Sequence, residues 1–236
     1  MESNAPTETS NRIALSRVAG LCAVGYVLTA LLGLSGALGG NLYFSDAPAN
    51  DVLAWIGQNG QLISLSIFLT GLATTLLYGG LIVLLVHLTR AHGLLPVLAY
   101  LGLAITVVTT WTEAGMIYAM VDLAARGGAD AGVLALFTLG KTMQFTDGIG
   151  VALAIGGSSV LALRAGVLPP WSTWYGMIVA AFFVIADAFR IFGLGLVGPL
   201  GVLLAFAWIL IVGVTLLARP VRAPRASNLA AVAAAC

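Results

Sequence analysis

Five ionisable residues stand inside long apolar stretches of this chain: Glu113, Lys141, Asp147, Asp187 and Arg190. A charge at the centre of a membrane span costs about 3 kcal/mol or more, so each of the five needs a partner or a use. Lys141, Gln144 and Asp147 are spaced i, i+3, i+6 and share one broad helical face. Asp187 and Arg190 are i, i+3 neighbours that can pair directly. Thr106, Thr109, Thr110 and Glu113 form a polar stripe on a neighbouring segment. Two cations face three carboxylates, and burial favours protonating one of them. Glu113 has no charged neighbour on its own helix and is the candidate. Two readings of the cluster stand side by side. It is a polar pocket for a small molecule, an ion or a lipid headgroup, or it is a salt-bridge and hydrogen-bond network that holds three helices in register.

Other chemistries find little support. The two histidines, His87 and His92, lie together at one end of their helices, so paired-histidine haem ligation at mid-membrane is unavailable. No carboxylate is near them in sequence, so neither a metal nor another cofactor is expected. Residues 193–198 spell a GxGxxG string, but it follows a membrane helix rather than a strand. No Ser-His-Asp or Cys-His set can be assembled, and no catalytic residue is assigned. Asp147 and Asp187 could form an intramembrane carboxylate pair, but the flanking signatures of such proteases are missing. Cys22 and Cys236 cannot build a disulfide framework and read as plain residues.

These residues must be positioned by membrane helices. Hydrophobic residues make up 60% of the 236 positions and charged residues 8%, against roughly 25% charged in a soluble domain. Such a surface must face lipid, and a span takes about 20 residues. The pattern predicts an all-α bundle of six transmembrane helices at about 12–38, 61–89, 94–124, 132–164, 171–192 and 199–218. Residues 1–11 read as a disordered cytoplasmic segment and 219–236 as a cytoplasmic tail. The apolar run 18–38 exceeds a signal-peptide core and follows Glu2 and Glu8, so it reads as an uncleaved first helix. Residues 39–60 read as an outer connection, within which 51–56 form a short amphipathic piece with Trp55 at the interface. Helix four is long enough to tilt or to project.

Arginines give the orientation. Arg12, Arg17, Arg90, Arg164, Arg219, Arg222 and Arg225 fall on one side of this threading, and Arg126 and Arg190 fall near the other. Seven against two places both termini in the cytoplasm. Trp171, Trp174 and Tyr175 then belt the inner interface, and Tyr43, Trp55, Trp111 and Tyr118 lie towards the outer one. All five intramembrane charges fall in the outer half. On helix four, Gly148, Ala152 and Gly156 repeat at i+4, as do Gly150, Ala154 and Ser158. Small residues at this spacing let helices approach closely, within the chain or across a homodimer. The near-neutral net charge of +1 points away from nucleic acid. The abundance of Ala, Gly, Leu and Val, with arginine far outnumbering lysine, fits a GC-rich bacterial genome.

Three passages resemble a bacterial family of small membrane proteins known as domain of unknown function 4386. They are the segment from Arg17 to Tyr26, the Trp111-Thr112-Glu113-Ala114 segment, and the stretch from Val167 to Gly176 that carries Pro169, Pro170, Trp171 and Trp174. The resemblance would span most of the chain. It implies a six-helix membrane fold and no assigned activity. Where the family has a basic residue shortly before Asp147, this chain has it at Lys141.

The sequence thus supports a multi-pass plasma (inner) membrane protein, embedded in the lipid bilayer, that binds or moves a small ligand through its outer polar cluster. The alternative is a scaffold or accessory subunit whose small-residue faces meet a partner or a second copy. A membrane enzyme ranks last.

Overall fold

A computed structural model of the protein describes residues 5–37, 48–127, 130–191 and 197–219. At 5–9, 33–37, 49, 141–146, 189–191 and 197–199 it describes the backbone alone. The described chain is helical throughout. Helix α1 spans Ala5–Ala37, α2 Ala49–Ala73, α3 Gly79–Thr89, α4 Leu94–Ala125, α5 Asp130–Ala165, α6 Pro170–Ile191 and α7 Val197–Ala218. A single π-helical turn, Thr74–Tyr78, joins α2 to α3 without breaking the rod. Six helices are therefore long and apolar enough to cross a membrane.

Two boundaries differ from the sequence expectation. The first helix begins at Ala5 rather than near residue 12. Pro6 sits in its first turn, where the missing amide costs nothing. The second difference is larger. Residues 49–60 are not a connection with a separate amphipathic piece; they are the first turns of α2, and Asn50–Thr89, through the π-turn and α3, is one 40-residue span. Val52, Trp55, Ile56 and Ile63 make one continuous buried stripe, so the helix has no reason to stop at Gly57 or Gly60. Trp55 is accordingly buried in protein rather than placed at an interface. Trp111, Tyr118, Trp171 and Trp174 are exposed, and Tyr43 lies outside the described residues.

The helices build two apolar cores. The larger gathers Ala19, Ala23 and Val27 of α1, Leu81, Ile82 and Leu85 of α3, Ile155 and Leu161 of α5, and Trp208, Val212 and Leu216 of α7. The second lies at the far end. There Val52, Trp55, Ile56 and Ile63 of α2 meet Ile117 and Met120 of α4 and Val133 and Phe137 of α5. A 36-residue helix such as α5 is about 54 Å long, well beyond a hydrocarbon core of about 30 Å. The excess length of α2, α4 and α5 is thus packed into its own three-helix core.

Both small-residue stripes of α5 are used inside the chain. One faces α4: a Cβ on Gly102 would lie 2.6 Å from the Gly150 carbonyl oxygen and 2.7 Å from Leu153 Cβ. Ser158 on this stripe is fully buried and hydrogen-bonds back to the Ala154 carbonyl at 2.6 Å. The other stripe faces α6: a Cβ on Gly156 would meet Ala180 Cβ at 3.1 Å, and Gly148 lies against Asp187. Ala152 between them is 7% exposed. At the opposite end, Arg12 is buried and donates from its guanidinium to the Leu88 carbonyl at 2.7 Å, capping the C-terminus of α3.

The closeness of α4 and α5 makes a measurable demand. Gly102→Ala forces a methyl group into helix backbone and is expected to cost about 1–3 kcal/mol of stability. Gly115→Ala, on the same helix with nothing within 4 Å of its Cβ position, is expected to stay within about 0.5 kcal/mol. Thermal unfolding of the two variants in one detergent compares them directly; equal midpoints would contradict the close approach.

Candidate ligand site

The α4–α5 pair is antiparallel, and its register is fixed by close contacts. Ala99 lies against Gly157, Thr106 against Gly150, and Thr109 against Asp147. The same register continued by one turn brings Glu113 level with Met143, between Lys141 and Gln144 on the backbone of α5. The side chains of Lys141, Gln144 and Arg190 lie outside the described residues. Glu113 is half-buried, one turn beyond Thr109 on the same face.

Asp147 is the centre of the cluster. Thr109 approaches its carboxylate at 3.2 Å, and the Thr106 hydroxyl faces it as well. Asp187 of α6 arrives from the other side. A Cβ on Gly148 would lie 2.9 Å from the Asp187 Cγ, so only glycine lets this carboxylate settle against α5 beside Asp147. The two acids are close enough to feel each other's charge. Of the residues singled out in the sequence, the structure thus brings together Asp147 and Asp187, with two threonines of the α4 stripe.

Three further residues join them that the sequence did not single out. Tyr26 of α1 and Tyr78 of the π-turn stack at 5.3 Å between ring centres, and both stand in the field of Asp147. The Thr74 hydroxyl faces that of Tyr26. The π-turn explains the arrangement. Thr74 and Tyr78, its first and last residues, both face inward, where each is 2% exposed. The signal in the sequence was two tyrosines in the middle of otherwise apolar spans.

Hydrogen counting shows what the cluster lacks. The Thr109 hydroxyl has one hydrogen and three acceptors within reach: the Ile105 carbonyl at 2.9 Å, the Thr106 carbonyl at 3.0 Å and Asp147 at 3.2 Å. The Tyr78 hydroxyl is buried without a hydrogen-bond partner, and so is Thr106 Oγ1 by strict geometry, although it faces Asp147. Every polar neighbour described around Asp147 is an oxygen. Among the described residues no cluster of three His, Cys, Asp or Glu side chains offers a metal site of that kind.

The depth of the cluster follows from helix rise. Asp147 lies about 27 Å from Ala165 along α5, and Asp187 about 25 Å from Pro170 along α6. Both therefore lie well away from the end of the bundle that carries Arg12, Arg90 and Arg164. Compared with family models, with curated proteins and with solved structures, the chain finds no match.

The Gly148–Asp187 contact can be tested as a pair. Gly148→Ala is expected to cost about 1–3 kcal/mol in the native background and clearly less with Asp187→Ala present. A double-mutant cycle on detergent melting midpoints measures the coupling; additive effects would mean the two residues do not touch.

Proposed function

We propose that this chain is a multi-pass protein of the plasma (inner) membrane, with both termini in the cytoplasm, that binds a small ligand or ion at the cluster around Asp147. The arginine distribution supports the orientation: Arg12, Arg17, Arg90, Arg164 and Arg219 belong to helix ends that meet on one side. In that orientation the cluster lies in the outer part of the bilayer. The resemblance to domain of unknown function 4386 is consistent with a bacterial source and adds no activity.

One observation carries the functional reading. Asp147 and Asp187, from different helices, are close enough for their charges to interact, with the Thr106 and Thr109 hydroxyls on Asp147 and Asp187 seated against Gly148. A network serving only to fix helices would be expected to match each buried donor with an acceptor. Here the Tyr78 hydroxyl is buried without a hydrogen-bond partner, within electrostatic reach of Asp147. The scaffold reading has one observation of its own. A groove of about 590 Å³ runs between α2 and α4 at the far end, lined by Gln58, Asn59, Gln61, Val121 and Ala124.

Native mass spectrometry of protein released from nanodiscs tests the binding reading. A bound species, or a shift in melting midpoint on adding one, is expected in the wild type and absent in Asp147→Asn. A variant that binds as well as the wild type would remove Asp147 from the site. A fluorescent-protein fusion at the C-terminus, of a kind that matures only in the cytoplasm, is expected to be bright; a dark fusion at normal expression would reverse the orientation.

A further inference from the structure

We propose that the guanidinium of Arg12 holds the phosphate of an anionic lipid headgroup, in the leaflet at the end of the bundle where Arg90 and Arg164 also lie. The place is distinct from the Asp147 cluster, and the inference does not rest on the reading of that cluster.

The first observation is a buried cation with little to balance it. Arg12 is 8% exposed, and among the described residues its one acceptor is the Leu88 carbonyl oxygen at 2.7 Å. The C-terminus of a helix offers about half a negative charge. A buried guanidinium so partly balanced is costly unless an anion reaches it. The described carboxylates lie elsewhere: Asp51, Asp122 and Asp130 at the opposite end, and Glu113, Asp147 and Asp187 between.

The second is the open fork. A guanidinium carries five N–H donors in one plane, and here Nη2 alone is on the Leu88 carbonyl. No nitrogen of Arg12 belongs to the buried side-chain atoms that lack a partner, so the remaining donors are not sealed in the apolar core. The bond to Leu88 fixes the plane, and the rest of the fork matches two oxygens of one phosphate.

The third is place. Arg12 stands near the start of the span Ser10–Leu32, and Leu88 near the end of the span Asn50–Thr89. Headgroups lie where spans end. Arg17, Arg90, Arg164 and Arg219 are at the same end, with no described carboxylate among them, so anions are drawn there. A seat between the ends of two spans selects a lipid phosphate over one in solution.

The test uses the full-length protein in nanodiscs. Its melting midpoint is followed by tryptophan fluorescence as phosphatidylglycerol replaces phosphatidylcholine, whose phosphate is already neutralised by its own choline. The midpoint is expected to rise and to saturate. Half-saturation is expected to need about tenfold more phosphatidylglycerol in Arg12→Gln, the shift that about 1.4 kcal/mol of lost binding produces. Glutamine can still donate to the Leu88 carbonyl, so the helix cap is kept. If that variant does not fold, Arg12→Lys, which keeps the charge and loses the fork, carries the test with a shift in the same direction. Arg164→Gln, which removes an exposed charge from the same end, is expected to respond as the wild type does. Wild-type curves in both Arg12 variants would overturn the inference. An equal loss in Arg164→Gln would overturn it too, since general surface charge would then suffice. The side chain of Glu8 lies outside the described residues; a response seen only in Glu8→Gln would make Glu8 the counter-ion and overturn the inference. Inorganic phosphate added to phosphatidylcholine discs is expected to have no effect. If it stabilises the wild type as much as phosphatidylglycerol does, the ligand is an anion from solution and the lipid assignment falls.

Discussion

The contact on which the rest of this structure depends is the approach of α4 to α5 at Gly102, Gly150 and Gly157. Without side chains at these positions, helix backbone meets helix backbone. In lipid, where no hydrophobic force separates helices from their surroundings, such contact is a main source of association. It also fixes register. A pair held at 99 against 157 and 106 against 150 must set Thr109 opposite Asp147, because both helices rise by the same amount per residue. The α5–α6 pair works in the same way. Gly148 and Gly156 draw α6 in, and the Gly148 position is where the Asp187 side chain lies. The small residues are therefore part of the chemistry of the site, although they carry none themselves.

Much of this was legible in the sequence, and the reasons are specific. Each span announces itself because a helix that faces lipid must be apolar on every side, and 8% charged residues leave few positions where a span could end. The importance of Asp147 and Asp187 was legible for the same reason: a carboxylate in such a run stands out. What could not be read was which of the five charged residues would meet. That depends on azimuth, and apolar residues flank the short polar stripes of α4 and α5 on every side, so the stripes do not say which neighbouring helix they face. The start of α2 was misread for a related reason. Gly57, Gln58, Asn59, Gly60 and Gln61 have the composition of a loop. They remain helical because Val52, Trp55, Ile56 and Ile63 on the other face are held by α4 and α5. Tertiary burial overrode local preference.

At Tyr78 the π-turn hides the inward face. A regular helix would carry residues 74 and 78 round at 100° per residue. The wider turn shifts the phase of everything before it relative to α3. Periodicity counted from sequence assumes a constant phase and loses the face at such a point. Thr70 and Thr75 hydrogen-bond back to the carbonyls of Ser66 and Gly71, each at 2.9 Å, in the turns around this change. Hydroxyl groups that bond back to the helix in this way often accompany bends.

The position of the cluster follows from the two cores. The larger is filled by residues up to the level of Val27, Tyr78 and Ala154, and the second begins at Ile63, Ile117 and Phe137. Between them lie Thr106, Thr109, Asp147 and Asp187. A polar group in the middle of either core would have to displace close-packed aliphatic side chains, at a cost of several kcal/mol for an unmatched charge. At the seam neither core is complete, and the three helices that continue into the projecting end supply the walls. The seam therefore costs least to make polar. It is also the one level that both cores touch, so a ligand bound there would contact α4 and α5 at the point where they pass from one core to the other. The seam and the second core also share α4 and α5, since Ile117 and Phe137 stand on the same two helices only a few turns further along.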